Sequence, residues 1–131
     1  MPDETSDNIV EHVAPLAFAA TLDRLLQAIA KAGLILFARI DHDAGAREVG
    51  MVMPPTTVLL YGHPKGGTPL MLAAPAAALE LPLRVLVRER DESTVVAFHP
   101  AAAMLRRAGV PDDLASRLDN AQRLLLEALA P

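Results

Sequence analysis

Apolar residues recur along this chain with two different periods. Leu22, Leu25, Leu26 and Ile29 stand at i, i+3, i+4 and i+7, the stripe of a helix with one buried side. Thr21 offers an N-cap oxygen, Asp23 falls in the first turn, and Lys31 followed by Gly33 closes the segment, so the spacing predicts a helix opening at Thr21. Further on, Leu83, Val85 and Val87 point one way while Arg84, Arg88 and Arg90, with Leu86 among them, point the other. That period of two predicts a half-buried strand. Asp91-Glu92-Ser93 reads as a polar hairpin turn, and Thr94 to His99 as the returning partner.

Two other apolar runs are shorter on periodicity. Leu34 to Ile40, bounded by Gly33 and Asp41-His42, reads as a well-buried central strand. Thr57 to Tyr61 follows Pro54-Pro55, which impose extended backbone, and is a second strand. Glu11 to Ala20 alternates loosely, and Pro15 cannot donate to a ladder, so an edge strand is expected there. Between the strands, Asp43 to Val49 predicts a short helix ended by Gly50, and Gly62 to Gly67 a loop. Thr68 then caps and Pro69 opens a further short helix, which Pro75 interrupts before Leu79. Pro100 begins a turn or two of helix ending at Gly109. Pro111, with Asp112 and Asp113, opens a final helix whose inner stripe is Leu114, Leu118, Ala121, Leu125 and Ala128 or Leu129.

Hairpin-linked strands with helices gathered on one side predict an α+β fold built on an antiparallel sheet. Residues 1–10 read as a flexible leader and 11–131 as a single domain, an ordinary size for one core.

Several ordered segments resemble a bacterial family, the domain-of-unknown-function family numbered 302. They are the helix at Thr21, Gly33 with the strand ending Ile40-Asp41-His42, Ala46-Arg47-Glu48-Val49-Gly50, Pro54-Pro55-Thr56, the strand ending Gly62-His63-Pro64-Lys65, Leu81-Pro82-Leu83, and the Asp91-to-Pro100 hairpin. The resemblance covers roughly residues 12 to 110. It implies a TATA-binding-protein-type fold, β-α-β4-α with short inserted helices, whose curved antiparallel sheet carries the C-terminal helix packed on one face. It implies no activity, since the family's role is unknown. One departure is His63, where the family usually has Asn in a Gly-Asn-Pro turn. Asn tolerates left-handed backbone better than His does.

Composition narrows the function classes. Hydrophobic residues make up 52% and charged residues 21%, enough to form a packed core. Aromatics are only 3% and the net charge is −4, which argues against a base-stacking platform or a basic field for nucleic acid. The chain has no cysteine, excluding disulfides, thiolate catalysis, iron–sulfur clusters and Cys-ligated zinc. The acidic, polar start is unlike a signal peptide, and no apolar run approaches the roughly 18 residues of a membrane span, so a cytoplasmic protein without membrane contact is expected.

Candidate chemistry is sparse. Asp41, His42 and Asp43 near Gly62-His63 would bring carboxylate and imidazole together, a set able to hold a divalent ion or act as a general base. The bland alternative is that Asp41 and Asp43 cap a short helix. The segment Gly62-His63-Pro64-Lys65-Gly66-Gly67-Thr68 invites comparison with phosphate loops, but GxxxxGK[ST] is absent and Pro64 and Pro69 each remove a donor. Arg84, Leu86 and Arg88, with Arg90 and Arg39, would form a basic stripe on one sheet face, either an interface or a solvated surface paired with Glu89, Asp91 or Glu92. No hydroxyl lies in a nucleophile elbow. The expected function is therefore a homodimeric binding or interaction domain without a catalytic set or cofactor. It would take a small apolar or anionic molecule between the sheet and the C-terminal helix, near residues 41–50 and 62–68, with His42, Gly62, His63 and Lys65 as candidates. The alternative is an enzyme using Asp41, His42 and His63 with a metal.

Overall fold

A computed structural model describes residues 8–131. Its strands are β1 (Val10–Ala14), β2 (Ile35–Asp41), β3 (Thr56–Gly62), β4 (Leu83–Arg90) and β5 (Ser93–Phe98). They form one five-stranded sheet in the order β1-β5-β4-β3-β2, with every neighbouring pair antiparallel. The helices are α1 (Phe18–Lys31), α2 (His42–Glu48), α3 (Pro64–Ala73), α4 (Ala101–Arg107), α5 (Asp112–Ala115) and α6 (Asp119–Ala128), with 3-10 turns at Pro75–Leu79 and Ser116–Leu118. The fold class is thus α+β, as the pattern predicts. Of the predicted leader, residues 1–7 lie outside the described residues, and β1 begins at Val10.

The sheet has a dry face and an open one. Thr57, Leu59 and Tyr61 of β3 and Leu83, Val85 and Val87 of β4 are all buried, and all but Thr57 share one core with Leu22, Leu25 and Ile29 of α1. The period-two and period-3.6 stripes therefore face each other, and removing these aliphatic surfaces from water is the main force holding the layers together. β4 and β5 join through Asp91 and Glu92, both at positive φ (50° and 69°), with Arg90 paired to Ser93. Two left-handed residues in a row match the strand twist of a tight hairpin; Ser93 belongs to the strand rather than the turn.

Three local expectations are overturned. Helix α1 starts at Phe18, one turn before Thr21, because Ala17 carbonyl already accepts from Thr21 N–H at 2.9 Å. Phe18-Ala19-Ala20 carry that turn, and Thr21 is fully buried with its hydroxyl donating to Leu16 carbonyl at 3.1 Å. Next, β2 is an edge strand, not a central one. It pairs only with β3, and Ile35, Leu36, Phe37 and Ile40 are each at least 40% exposed. A run of apolar residues reports strand propensity, whereas position in the sheet depends on which strands compete for the neighbouring places.

Finally, the long C-terminal helix is broken by the 3-10 turn at Ser116–Leu118. Its buried line is Ala115, Gln122, Leu125 and Leu129, while Leu114, Leu118 and Ala121 are half-buried. Gln122 explains the offset. Its Nε2 donates to His99 carbonyl at 2.7 Å and its Oε1 accepts from Ala101 N–H at 2.9 Å, fastening α6 to the start of α4. A buried amide is tolerated because both its ends are paired.

Candidate functional site

The β2–β3 ladder runs between two differently built ends. At one end Asp41 lies opposite Thr57; at the other Ile35 lies opposite Gly62. Six residue steps along the strand separate them, about 20 Å at the usual rise per residue. Asp41 and His42 are therefore remote from His63, and the predicted metal or acid–base set does not assemble. Among the described residues no group of three or more His, Asp or Glu side chains is placed to hold a metal ion.

The Asp41 end is internally satisfied. Thr57 hydroxyl donates to Asp41 Oδ1 at 2.7 Å and Arg39 Nε donates to the same carboxylate at 3.1 Å. These donors, Thr57 foremost, hold the Asp41 carboxyl below its ordinary value. Asp43 accepts Thr56 N–H at 3.0 Å and Arg47 Nη1 at 3.2 Å, and is lowered mainly by that backbone bond. Asp41 occupies the N-cap position of α2 but makes no side-chain cap; it ties β2 to β3 instead, while Asp43 ties α2 to β3.

The Gly62 end opens into a cavity of about 520 Å³. Its walls are apolar: Leu34 and Phe37 from the β2 side, Tyr61 and Leu83 from the sheet, Met71 from α3, Leu81, and Leu118, Ala121 and Leu124 from the C-terminal segment. Polar side chains stand at its rim, where His63, Thr68, Arg117 and Asn120 are all exposed. Tyr61 is the exception inside. It is buried, and burial pushes its phenol well above the ordinary tyrosine value, so the hydroxyl stays protonated.

The predicted loop at 62–67 is the start of α3. His63 is the N-cap: its Nδ1 accepts Lys65 N–H at 3.1 Å, and its carbonyl accepts Gly66 and Gly67 N–H, each at 3.0 Å. Pro64 occupies the first helical turn, where its lack of N–H costs nothing. The left-handed concern at residue 63 also falls away, because its φ and ψ are −155° and 138°, extended backbone open to any residue. The unusual conformation belongs to Gly62, at φ 156°. With the first amides engaged by the cap, the phosphate-loop comparison loses the free donors it needs.

Of the ligand candidates, Gly62 and His63 line the cavity, whereas His42 and Lys65 do not. The pocket lies between sheet and C-terminal segment beside residues 62–68, and residues 41–50, expected near it, take no part in its lining. Phe37, Tyr61, Arg117 and Asn120 escape a motif search, since none stands in a chemical pattern. A usable signal did exist for Tyr61, the sole tyrosine, which falls on the same alternating face as Leu59 and so carries a hydroxyl into the core.

The interface candidates sit on the open side of the sheet. Leu86 is half-buried between Val58 and Ala97, and Arg84 is exposed. Arg88 and Arg90 reach Glu11 of β1 at 3.4 Å and 3.2 Å, rather than the acidic residues of their own hairpin. Arg39 does not join this stripe: it pairs opposite buried Leu59 and engages Asp41.

Fold and site together define a small α+β domain with an apolar pocket at one end of its sheet. The chain belongs to the family described as domain of unknown function DUF302, which matches residues 10–130. A solved structure of an uncharacterized conserved DUF302 protein from Bacillus stearothermophilus superposes with a TM-score of 0.79 at 13% identity, over 92% of this chain and 94% of that one. Curated relatives named fluoride-specific ion channel FluC 1, from Brucella suis and Brucella abortus, are each 39% identical over 77 residues, or 59% of this chain. The matched part is only 30% and 28% of those two proteins. Among the described residues no helix is long and apolar enough to cross a membrane.

Proposed function

We propose that this domain binds a small, largely apolar molecule in the cavity between the sheet and the C-terminal segment. The observation that carries the reading is the cavity itself, about 520 Å³, walled by aliphatic and aromatic side chains with polar groups gathered at the mouth. Ligand sites commonly have this volume and this division of lining. A wholly anionic ligand fits less well, because the α3 amides are occupied by the His63 cap and Arg117 stands only at the rim.

The fluoride-channel name belongs to the longer Brucella proteins, and the apolar walls here are unsuited to a small, strongly hydrated anion. What the likeness supports is a binding module that also serves within longer chains. A cytoplasmic location is part of this proposal. The test is a ligand-observed NMR survey with small aromatic and aliphatic fragments, on the wild type and on Ala121→Trp, which fills the cavity. Fragments should bind the wild type and lose at least about tenfold in affinity in the variant, the loss expected when bulk occupies a packed site. Equal binding to both proteins would remove the proposal.

Homodimerisation belongs to the same reading. It is supported by the open sheet face with Arg84, Leu86 and Arg88 and by the exposed apolar residues of edge strand β2. Sedimentation equilibrium should return a dimer, which Arg84→Glu with Arg88→Glu breaks if the face is the contact and Ile40→Lys breaks if the edge is. A monomer at all concentrations would count against it.

A further inference from the structure

The mouth of the cavity is one-sided in charge. Among the described residues that line it, Arg117 alone carries a formal charge, and no acidic residue takes part. The chain as a whole leans the other way, with 16 acidic residues against 12 basic ones. Arg39, Arg47, Arg88, Arg90 and Arg106 are each engaged by a carboxylate, whereas Arg117 has no ion-pair partner among the described residues. It is exposed, and it stands in the 3-10 turn Ser116–Leu118 that breaks the C-terminal helix. That turn lies against the start of α3, where a Cβ on Gly66 would come within 3.4 Å of Leu118 Cδ2. Leu118 joins the apolar wall while Arg117 stays open to water beside it. His63, also exposed on the lining, adds a donor. Its Nδ1 accepts Lys65 N–H at 3.1 Å, so the neutral ring carries its proton on Nε2.

We infer that the occupant is an amphipathic monoanion: an apolar body in the recess and one carboxylate-type head at the mouth, received by Arg117 with His63 beside it. This deepens the binding reading above and rests on it. The polarity follows from desolvation. A charge carried inward would lose its hydration among aliphatic walls, so the head stays at the rim. One guanidinium balances one negative charge, and its planar fork matches the two oxygens of a carboxylate. An ammonium head would meet Arg117 with no acidic residue on the lining to receive it.

The experiment titrates octanoate, octan-1-ol and octylammonium, which share a tail and differ in the head, by protein-observed NMR at neutral pH. The proteins are the wild type, Arg117→Gln and Arg117→Glu; because Arg117 is exposed, both variants should keep the wild-type thermal midpoint. The wild type should prefer octanoate to octylammonium. Arg117→Gln should weaken octanoate about fivefold, the upper range for a pair open to water, and change octan-1-ol less than about twofold. Arg117→Glu should reverse the order of the two charged probes. If octanoate is unaffected by Arg117→Gln, or weakens no more than octan-1-ol, Arg117 does not receive the head and the inference is overturned, although the cavity still binds. If no probe binds the wild type, the binding reading falls and this inference with it.

Discussion

The two ends of the β2–β3 ladder invert what their residues suggest. The end rich in titratable groups, with Arg39, Asp41, Asp43 and Arg47, is closed on itself: each carboxylate already has a hydroxyl or amide donor and an arginine. The end made of Tyr61, Gly62 and neighbouring aliphatics has the space. Charged residues close together in a sequence are as often a structural clasp as a reactive centre, because each meets its partner locally. A recess needs surfaces from distant segments, and those surfaces are apolar because they are also core.

Predictions at the closed end are the larger in energy. Thr57→Val keeps the shape but deletes the donor to Asp41, and a hydrogen bond to a charged group at a buried hydroxyl should cost about 2 kcal/mol at neutral pH. Because Asp41 is held below its ordinary value in the folded state, its contribution is fully present above about pH 4, the value of a free carboxylate, and is lost as pH falls through the depressed value. Urea unfolding should therefore find the gap between wild type and Thr57→Val widest near pH 7 and closing as the pH falls below the ordinary carboxylate range. A gap independent of pH would mean the clasp does not depend on the charge. At the open end, His63→Ala removes the cap acceptor of α3 and should cost about 1 kcal/mol, whereas His63→Asn restores an N-cap and should lie within a few tenths of the wild type. Equal losses in both variants would show that the ring matters for something other than capping Lys65 N–H.

How far the sequence leads differs element by element. The α1 stripe and the β4 alternation were legible because each residue's fate depends on a period that its own neighbours set. Leu34 to Ile40 misled for the converse reason: its composition is that of a buried strand, and nothing local says that β3 takes the inner place and leaves β2 at the edge. Gln122 reads as surface on any local criterion, and only the placement of His99 and Ala101 around it makes it a core residue. At His63 the cap could be read from Pro64 in the following position, but not the engagement of Nδ1, which depends on a side-chain rotamer.

By itself the chain determined its elements, their antiparallel class, its freedom from cysteine chemistry and its family likeness, because periodicity, composition and turn residues act over a few neighbours at a time. Tertiary structure decided which strand stands at the edge, that Asp41 and His63 lie at opposite ends of one ladder, and that Tyr61 borders a recess completed by Leu118 and Leu124. Strand register and long-range packing set those distances, and both are properties of segments brought together from across the chain.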